Sequence, residues 1–434
     1  MRQQGVIFSY KHPKEMYWLA LAEMCQRFAY WGVGYLLILF LVKYFSYSTK
    51  YATRIFGAYT GTAFLLPILG GYIADKWNCY APILLGTILT SIGCFFLSSL
   101  AKVMIIPALV VIGFGGGLFT PNIYTLLGIL YSNKQHIREG GFSIYYATVN
   151  VGVLIAMIVL GYLQTFSWSI TFIVAGCVQL LGIFPYCKVI SRLKSIDIPH
   201  HHFNSKKADT HHYPLKPREI ERIIVILIMT CVSIFFWMAY NQAGSSMTLF
   251  ALRFTNRHIA GFEVPVPWFT STQTLFLILF SFPLARLYLF LKRFKFNASP
   301  PMKTALSLFF TGLCFLVMQR AAAHVPYGAA SANISPWYLL GAFAILALAE
   351  LFLSPIGLSL ITHLSPHRYR GLLTGLWFTC IGFGFYFGGY LAGFMTSLRL
   401  PTFFSIFVIT SFFPAILLVL FSKKLDHMRH ISSL

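Results

Sequence analysis

The chain is 434 residues long, 57% hydrophobic and only 10% charged, with a mean hydropathy of +0.72. Soluble domains carry about 25% charged residues, so this composition excludes a soluble globular protein, a disordered chain and a secreted disulfide scaffold. It leaves a protein that crosses a membrane many times. Lys+Arg outnumber Asp+Glu by 33 to 11, a formal net charge of +22. In a soluble protein that excess would point to nucleic acid; here the charges lie between apolar runs, where anionic lipid is the natural partner.

Residues 1–15 are polar and basic, with Arg2, Lys11 and Lys14. The apolar run that follows is far longer than the roughly 7–15 residues of a signal peptide core, so it reads as a retained first span. Twelve runs reach the roughly 20 residues that a crossing requires. They are 16–45, 52–74, 80–100, 104–130, 141–163, 167–190, 221–250, 267–291, 302–319, 335–362, 370–396 and 400–422. With the N-terminus inside, 24 of the 33 Lys and Arg fall in inner segments, 8 in outer ones, and Arg27 inside a span. That bias predicts both termini in the cytoplasm.

Residues 191–217 are polar and hold no span. Their five histidines, His200, His201, His202, His211 and His212, lack cysteines or regular ligand spacing and read as a solvated loop rather than a metal site. The expected division is a six-helix bundle over 1–190, a cytoplasmic linker over 191–217 and a second six-helix bundle over 218–434. This is an all-α membrane protein whose twelve transmembrane helices resemble the major facilitator superfamily fold, with a site enclosed at the midplane between its halves. The eight cysteines have no CxxC spacing and sit almost entirely in apolar runs, so they read as small apolar side chains.

Ionisable residues inside spans are costly and point to function. Deep in the spans stand Glu23, Arg27 and Glu350. Glu23 and Arg27 are four apart and share a helix face, which Tyr30 and Gly34 continue, with Gln26 beside it. Such a stripe should face a water-filled cavity; a self-contained ion pair inside the bundle is the alternative. Glu350 has no basic neighbour on its own helix, and Ser354-Pro355 and Gly357 suggest a local bend there. An unpaired carboxylate so placed binds a cation such as an amine, or carries a proton. Gly70-Gly71-Tyr72-Ile73-Ala74-Asp75-Lys76 reads as a loop after the second span, resembling the conformational latch of the same superfamily, with Asp75 and Lys76 at the membrane edge. No nucleophile elbow, P-loop or HExxH motif supports an enzyme.

Together these segments resemble the proton-dependent oligopeptide transporter family. Glu23-Met24-Cys25-Gln26-Arg27-Phe28-Ala29-Tyr30-Trp31-Gly32 is similar to its E-x-x-E-R-F-x-Y-Y-G first helix. Gly117-Leu118-Phe119-Thr120-Pro121-Asn122 is similar to its G-L-F-K-P-N, and Phe142 through Gly152 to its F-x-x-x-Y-x-x-x-N-x-G. Gln242 through Ser246, Glu350 through Gly357 and Trp377 match in the second half, so the likeness runs in order from about residue 12 to 395.

The resemblance implies that Arg27 holds a peptide's carboxylate and Glu350 its amino group, so that opposite charges select a zwitterion. It implies that Asn150, Gln242 and Gln273 hydrogen-bond the peptide backbone. Tyr30, Trp31, Phe64 and Trp377 would line side-chain pockets, with Thr120 and Ser354 nearby; ordinary helix packing is the alternative for each aromatic. Glu23 and Glu350 are the proton-coupling candidates. A substrate carboxylate on Arg27 would loosen its hold on Glu23 and free that side chain to take a proton.

The departures are coordinated. The family's second first-helix Glu is Gln26 and its fourth-helix Lys is Thr120, so both members of a charge pair are neutral. Phe64 lacks the hydroxyl of a family Tyr, and Leu252 replaces a seventh-helix acid. The expected function is proton-coupled symport of di- and tripeptides by alternating access, with protons as coupling ion and no cofactor. The alternatives are a transporter of amino acids or another small organic solute, and a non-transporting membrane sensor. The expected setting is a bacterial inner membrane, with lipid around a monomer and no nucleic acid.

Overall fold

The computed structural model describes residues 12–76, 79–131, 135–194, 215–259, 261–293, 299–366 and 369–430. The first half holds α1 (Lys14–Leu39), extended by a π-turn over Phe40–Tyr44, then α2 (Thr49–Lys76), α3 (Tyr80–Ser98), α4 (Ile105–Leu130), α5 (Gln135–Leu163), α6 (Trp168–Leu181) and α7 (Ile183–Lys194). The second holds α8 (Pro217–Tyr240), a 3-10 turn over Asn241–Gly244, α9 (Ser246–Arg253), α10 (Val266–Arg293), α11 (Pro300–Ala323), α12 (Trp337–Leu364), α13 (Arg370–Ala392) and α14 (Leu400–Met428). A hairpin of β1 (His258–Ile259) and β2 (Phe262–Glu263), turning at Gly261 with φ 81°, joins α9 to α10.

Eleven segments among the described residues are long and apolar enough to cross a membrane. α10 is 28 residues long, and its first half carries the polar run Thr270-Ser271-Thr272-Gln273-Thr274. Two expected spans are each built from two helices. Pro185 offers no N–H to the turn before it, and the sixth span breaks at Gly182 between α6 and α7. The seventh breaks over Asn241–Gly244, where hydroxyls satisfy groups at the break: Ser245 Oγ donates to the Asn241 carbonyl at 2.9 Å and Ser246 Oγ to Gln242 Oε1 at 2.7 Å.

α7 continues to Lys194. One sequence expectation needs correction. The stretch 70–76 is not a loop but the last two turns of α2. Gly70 makes this possible: with no Cβ, it lies directly on the Gly117 carbonyl of α4, so the helix can pack there without turning away. Asn122 Nδ2 adds a 3.4 Å hydrogen bond to the Gly70 carbonyl. The side chains of Asp75 and Lys76, and the histidines of the linker, lie outside the described residues.

The apolar core positions the site. Where α1 finishes and α14 starts, one continuous cluster joins both halves, running from Leu36, Phe40 and Phe56 to Phe250, Phe315, Phe343 and Phe404. At the opposite end the core splits. One cluster there draws only on the first half (Met16, Phe119, Tyr145, Tyr186), and another centres on the second (Ile226, Leu353, Trp377, Leu425). Lipid tails are as apolar as these side chains, so burial alone does not hold the joined end closed; close packing and hydrogen bonds do. There α2 meets α13 backbone to backbone, and a Cβ on Gly57 would fall 2.8 Å from the Gly389 Cα. Asn241 Nδ2 donates to Thr60 Oγ1 at 3.0 Å, and Arg253 Nη2 to Thr49 Oγ1 at 3.0 Å. The core joins the halves at one end and, among the described residues, falls into separate clusters at the other.

Candidate substrate and proton site

Glu23 and Arg27 meet as their spacing predicts. Arg27 Nε and Nη2 lie 2.9 and 2.8 Å from the same Glu23 oxygen, Oε1. The other oxygen, Oε2, accepts a 2.6 Å hydrogen bond from the Tyr145 hydroxyl on α5. Glu23 is 0% exposed, whereas the Arg27 side chain keeps 20% of its surface. The carboxylate is therefore saturated and sealed, while the guanidinium still has a face to offer.

Glu350 on α12 is also buried, but its hydrogen-bond partner among the described residues is a tyrosine: the Tyr240 hydroxyl donates to Oε2 at 2.9 Å. Among the described residues it makes no ion pair. Three more tyrosines complete the setting. Tyr146 lies within electrostatic range of both Arg27 and Glu350. Tyr35 lies within range of Glu350, and Tyr124 within range of Glu23 and Arg27. Tyr124 also meets Tyr145 edge-on, with ring centroids 5.6 Å apart.

The predicted aromatics divide into two groups. Trp31 and Phe64 join Phe385 and Trp237 in a cross-half cluster, with Phe64 stacked on Phe385 at 5.0 Å and Trp237 on Phe385 at 5.7 Å. This cluster caps the site toward the joined end. Tyr30 stacks on Tyr59 at 5.2 Å and is buried, and Trp377 packs flat against Gly357 with 4% of its surface exposed. For these two, helix packing is what the structure displays.

The predicted amides also divide. Gln242 is fully buried, and its Nε2 donates to the carbonyls of Met238 (3.1 Å) and Gly388 (2.9 Å). It ties the α8–α9 break to α13 and does not present its amide to the opening. Asn150 is partly exposed, with Nδ2 on the Tyr146 carbonyl at 2.9 Å. Gln273 is buried with an unpartnered Nε2, a donor without an acceptor in this conformation. Thr120 and Ser354 are partly exposed. Gln26 points away from the charge pair: its Oε1 accepts from Gln179 Nε2 on α6. It does not meet Thr120.

Tyr35, Tyr124, Tyr145, Tyr146 and Tyr240 escaped the sequence reading. With 24 tyrosines in the chain, residue type alone could not single them out. The available signal was position, because Tyr145 and Tyr146 lie inside the fifth-helix motif and Tyr240 two residues before Gln242.

A family model for the POT family, the proton-dependent oligopeptide transporters, matches residues 80–210 and 188–406, most of the chain. The chain belongs to the POT family. POT relatives include a peptide transporter, YePEPT, of Yersinia enterocolitica, 28% identical, with 88% of each chain covered. Dipeptide and tripeptide permease B of Salmonella typhimurium is 25% identical, covering 88% of this chain and 87% of the permease. Among solved structures, a peptide transporter POT in complex with sulfate superposes with a TM-score of 0.84 at 22% identity, over 96% of both chains. A POT family transporter in complex with 5-aminolevulinic acid gives 0.83 at 20% identity, over 95% of this chain and 97% of the other. The major facilitator fold expected from the apolar runs is the fold found, and POT members are transporters, not enzymes.

Proposed function

We propose that this chain is a proton-coupled symporter of di- and tripeptides that works by alternating access. The observation that carries the reading is the placement of opposite charges in the two halves: Arg27 on α1, whose side chain keeps part of its surface exposed, and Glu350 on α12, held by Tyr240 and without an ion pair among the described residues. A short peptide in its zwitterionic form has the complementary charges at its two ends. Guanidinium suits the carboxylate because its donors are planar and forked; the lone carboxylate of Glu350 suits an ammonium.

Glu23 is the proton carrier in this reading. A peptide carboxylate competing for Arg27 weakens the guanidinium's hold on Glu23 Oε1, and the carboxyl group can then bind a proton. Tyr145 remains on Oε2 throughout. A protonated Glu23 and an occupied Arg27 leave no unpaired charge between the halves, which lets them rearrange. Glu350 is a second possible carrier. Among the amides, Asn150 and Gln273 are the better placed to meet the peptide backbone, and Gln242 would have to release α13 first. Asp75 and Lys76 at the end of α2 are proposed to act as the latch.

The membrane is proposed to be a bacterial inner membrane, since the named relatives are bacterial. Both termini face the cytoplasm by the excess of inner Lys and Arg. The halves are proposed to be 1–190 and 218–434, joined by a cytoplasmic linker over 191–217, and the transporter to act as a monomer. On that orientation the joined end faces outward.

The test is uptake of labelled dialanine into proteoliposomes with and without an inward proton gradient. Gradient-dependent accumulation, lost in both Arg27→Ala and Glu350→Gln, supports the reading. Absence of uptake by folded protein, with thermal stabilisation by an amino acid or small organic anion, would replace the cargo.

A further inference from the structure

We infer that the joined end of the molecule is a cationic intake, which favours peptides carrying an extra carboxylate over those carrying an extra amine. It rests on proton-coupled peptide symport and on the orientation that puts this end outside. The segments at this end hold eight Lys and Arg and a single acid, Glu263. Arg257 Nη2 engages that acid at 2.6 Å. The other seven cations therefore have no carboxylate of the chain to pair with there. The two ends are opposite in this respect: at the far end Arg192 meets Glu15 at 2.9 Å and Arg429 meets Asp426 at 2.9 Å.

What these cations rest on instead leaves their charge in place. Arg54 on α2 lies over the Tyr390 ring of α13, 5.1 Å from its centroid, and Arg253 on α9 donates to Thr49 Oγ1 on α2 at 3.0 Å. A ring face and a hydroxyl attract a guanidinium without cancelling its charge. Lys102 lies over the Tyr47 ring at 5.8 Å and Arg399 over the Tyr327 ring at 4.8 Å in the same manner. Lys50 is exposed and stands one turn from Arg54 on α2, a spacing at which like charges repel. The Arg54 and Arg253 contacts both cross from one half to the other. Parting the halves at this end thus withdraws Tyr390 and Thr49 and leaves both guanidiniums, beside Lys50, facing whatever enters. Such a rim raises the local concentration of anions at the mouth of a cleft and lowers that of cations. Dialanine, a zwitterion without net charge, feels it least; alanyl-glutamate is drawn in and alanyl-lysine is held off.

The experiment measures initial uptake, well below saturation, of labelled dialanine, alanyl-glutamate and alanyl-lysine under an inward proton gradient. The proteoliposomes are of phosphatidylcholine, which carries no net charge. External salt is set at about 10 mM or about 500 mM, the higher value screening charges beyond a few ångströms. From low to high salt, alanyl-glutamate uptake relative to dialanine should fall by at least about threefold, and alanyl-lysine uptake should rise. Lys50→Gln/Arg54→Gln should flatten both responses, whereas Arg54→Lys, which keeps the charge, should retain them. Lys50→Gln alone, at an exposed position, should weaken them if the double variant does not fold. Equal salt responses for the three peptides, or responses that survive the charge-removing variants, overturn the intake while dialanine uptake still upholds symport. Absence of dialanine uptake by folded protein overturns both.

Discussion

Glu23 and Glu350 are both buried carboxylates on spanning helices, one in each half, yet their surroundings differ in kind. Glu23 has each oxygen engaged, one by the Arg27 fork and one by Tyr145. Glu350 has a single tyrosine hydroxyl and no ion pair among the described residues. A carboxylate with two strong donors holds its charge until something removes a donor; one with a single donor waits for a cation. The same side chain thus suits a proton relay gated by substrate in one half and an ammonium receptor in the other.

Arg27→Ala should break this comparison most severely. It removes the carboxylate receptor and strips Glu23 of its counter-charge, and loss of one partner of a buried charge pair costs about 2–5 kcal/mol. Dialanine uptake should fall by at least about 30-fold, with no accumulation under a proton gradient. Glu350→Gln should come next, at roughly tenfold or more. Its specific signature is loss of discrimination between dialanine and N-acetyl-dialanine, measured by competition; wild type should strongly prefer the free amine.

Tyr145→Phe sharpens the comparison. The hydroxyl donates to Glu23 Oε2, so its removal leaves that oxygen without a donor, and accumulation of dialanine under a proton gradient should fall. Hydrogen bonds to charged groups contribute about 1.5–3 kcal/mol, so a fall of roughly tenfold or more is expected. The pH profile of uptake should change in Tyr145→Phe and stay as in wild type in Tyr240→Phe. If Glu23→Gln still accumulated peptide against a gradient, the assignment of Glu23 as proton carrier would fail, whatever Tyr145 does.

The smallest effect is expected at Gln179→Leu. It unpairs Gln26 on the face of α1 turned away from the charge pair, costing about 1 kcal/mol and a few degrees of melting temperature, with the pH profile unmoved. A shifted profile there would mean that Gln26 communicates with Glu23 after all.

Much of the site was legible before the fold. Spacing of four brought Glu23 to Arg27, and an isolated acid in an apolar run marked Glu350. What stayed hidden was partnership across helices. Gln26 stood where a charge pair was expected with the fourth helix, yet its partner is Gln179 on α6. Gln242 matched a binding motif, yet a complete set of local acceptors and donors occupies it. The stretch from Gly70 to Lys76 read as a loop through its resemblance to a superfamily motif; it continues α2 instead, and Gly70 permits close contact with Gly117.

The sequence by itself determined the class of protein, the spans, the charge bias between inner and outer segments, and the three ionisable residues inside the membrane. These follow from local properties: hydropathy over about 20 residues, and the cost of placing charge in hydrocarbon. Only the tertiary structure decided that one core cluster joins the halves at one end while separate clusters form at the other, and that tyrosines from α1, α4, α5 and α8 gather around both carboxylates. Those outcomes depend on which helix faces meet. In a membrane, where lipid is as apolar as the core, side-chain hydropathy does not select the partner; backbone approach, hydrogen bonding and shape do.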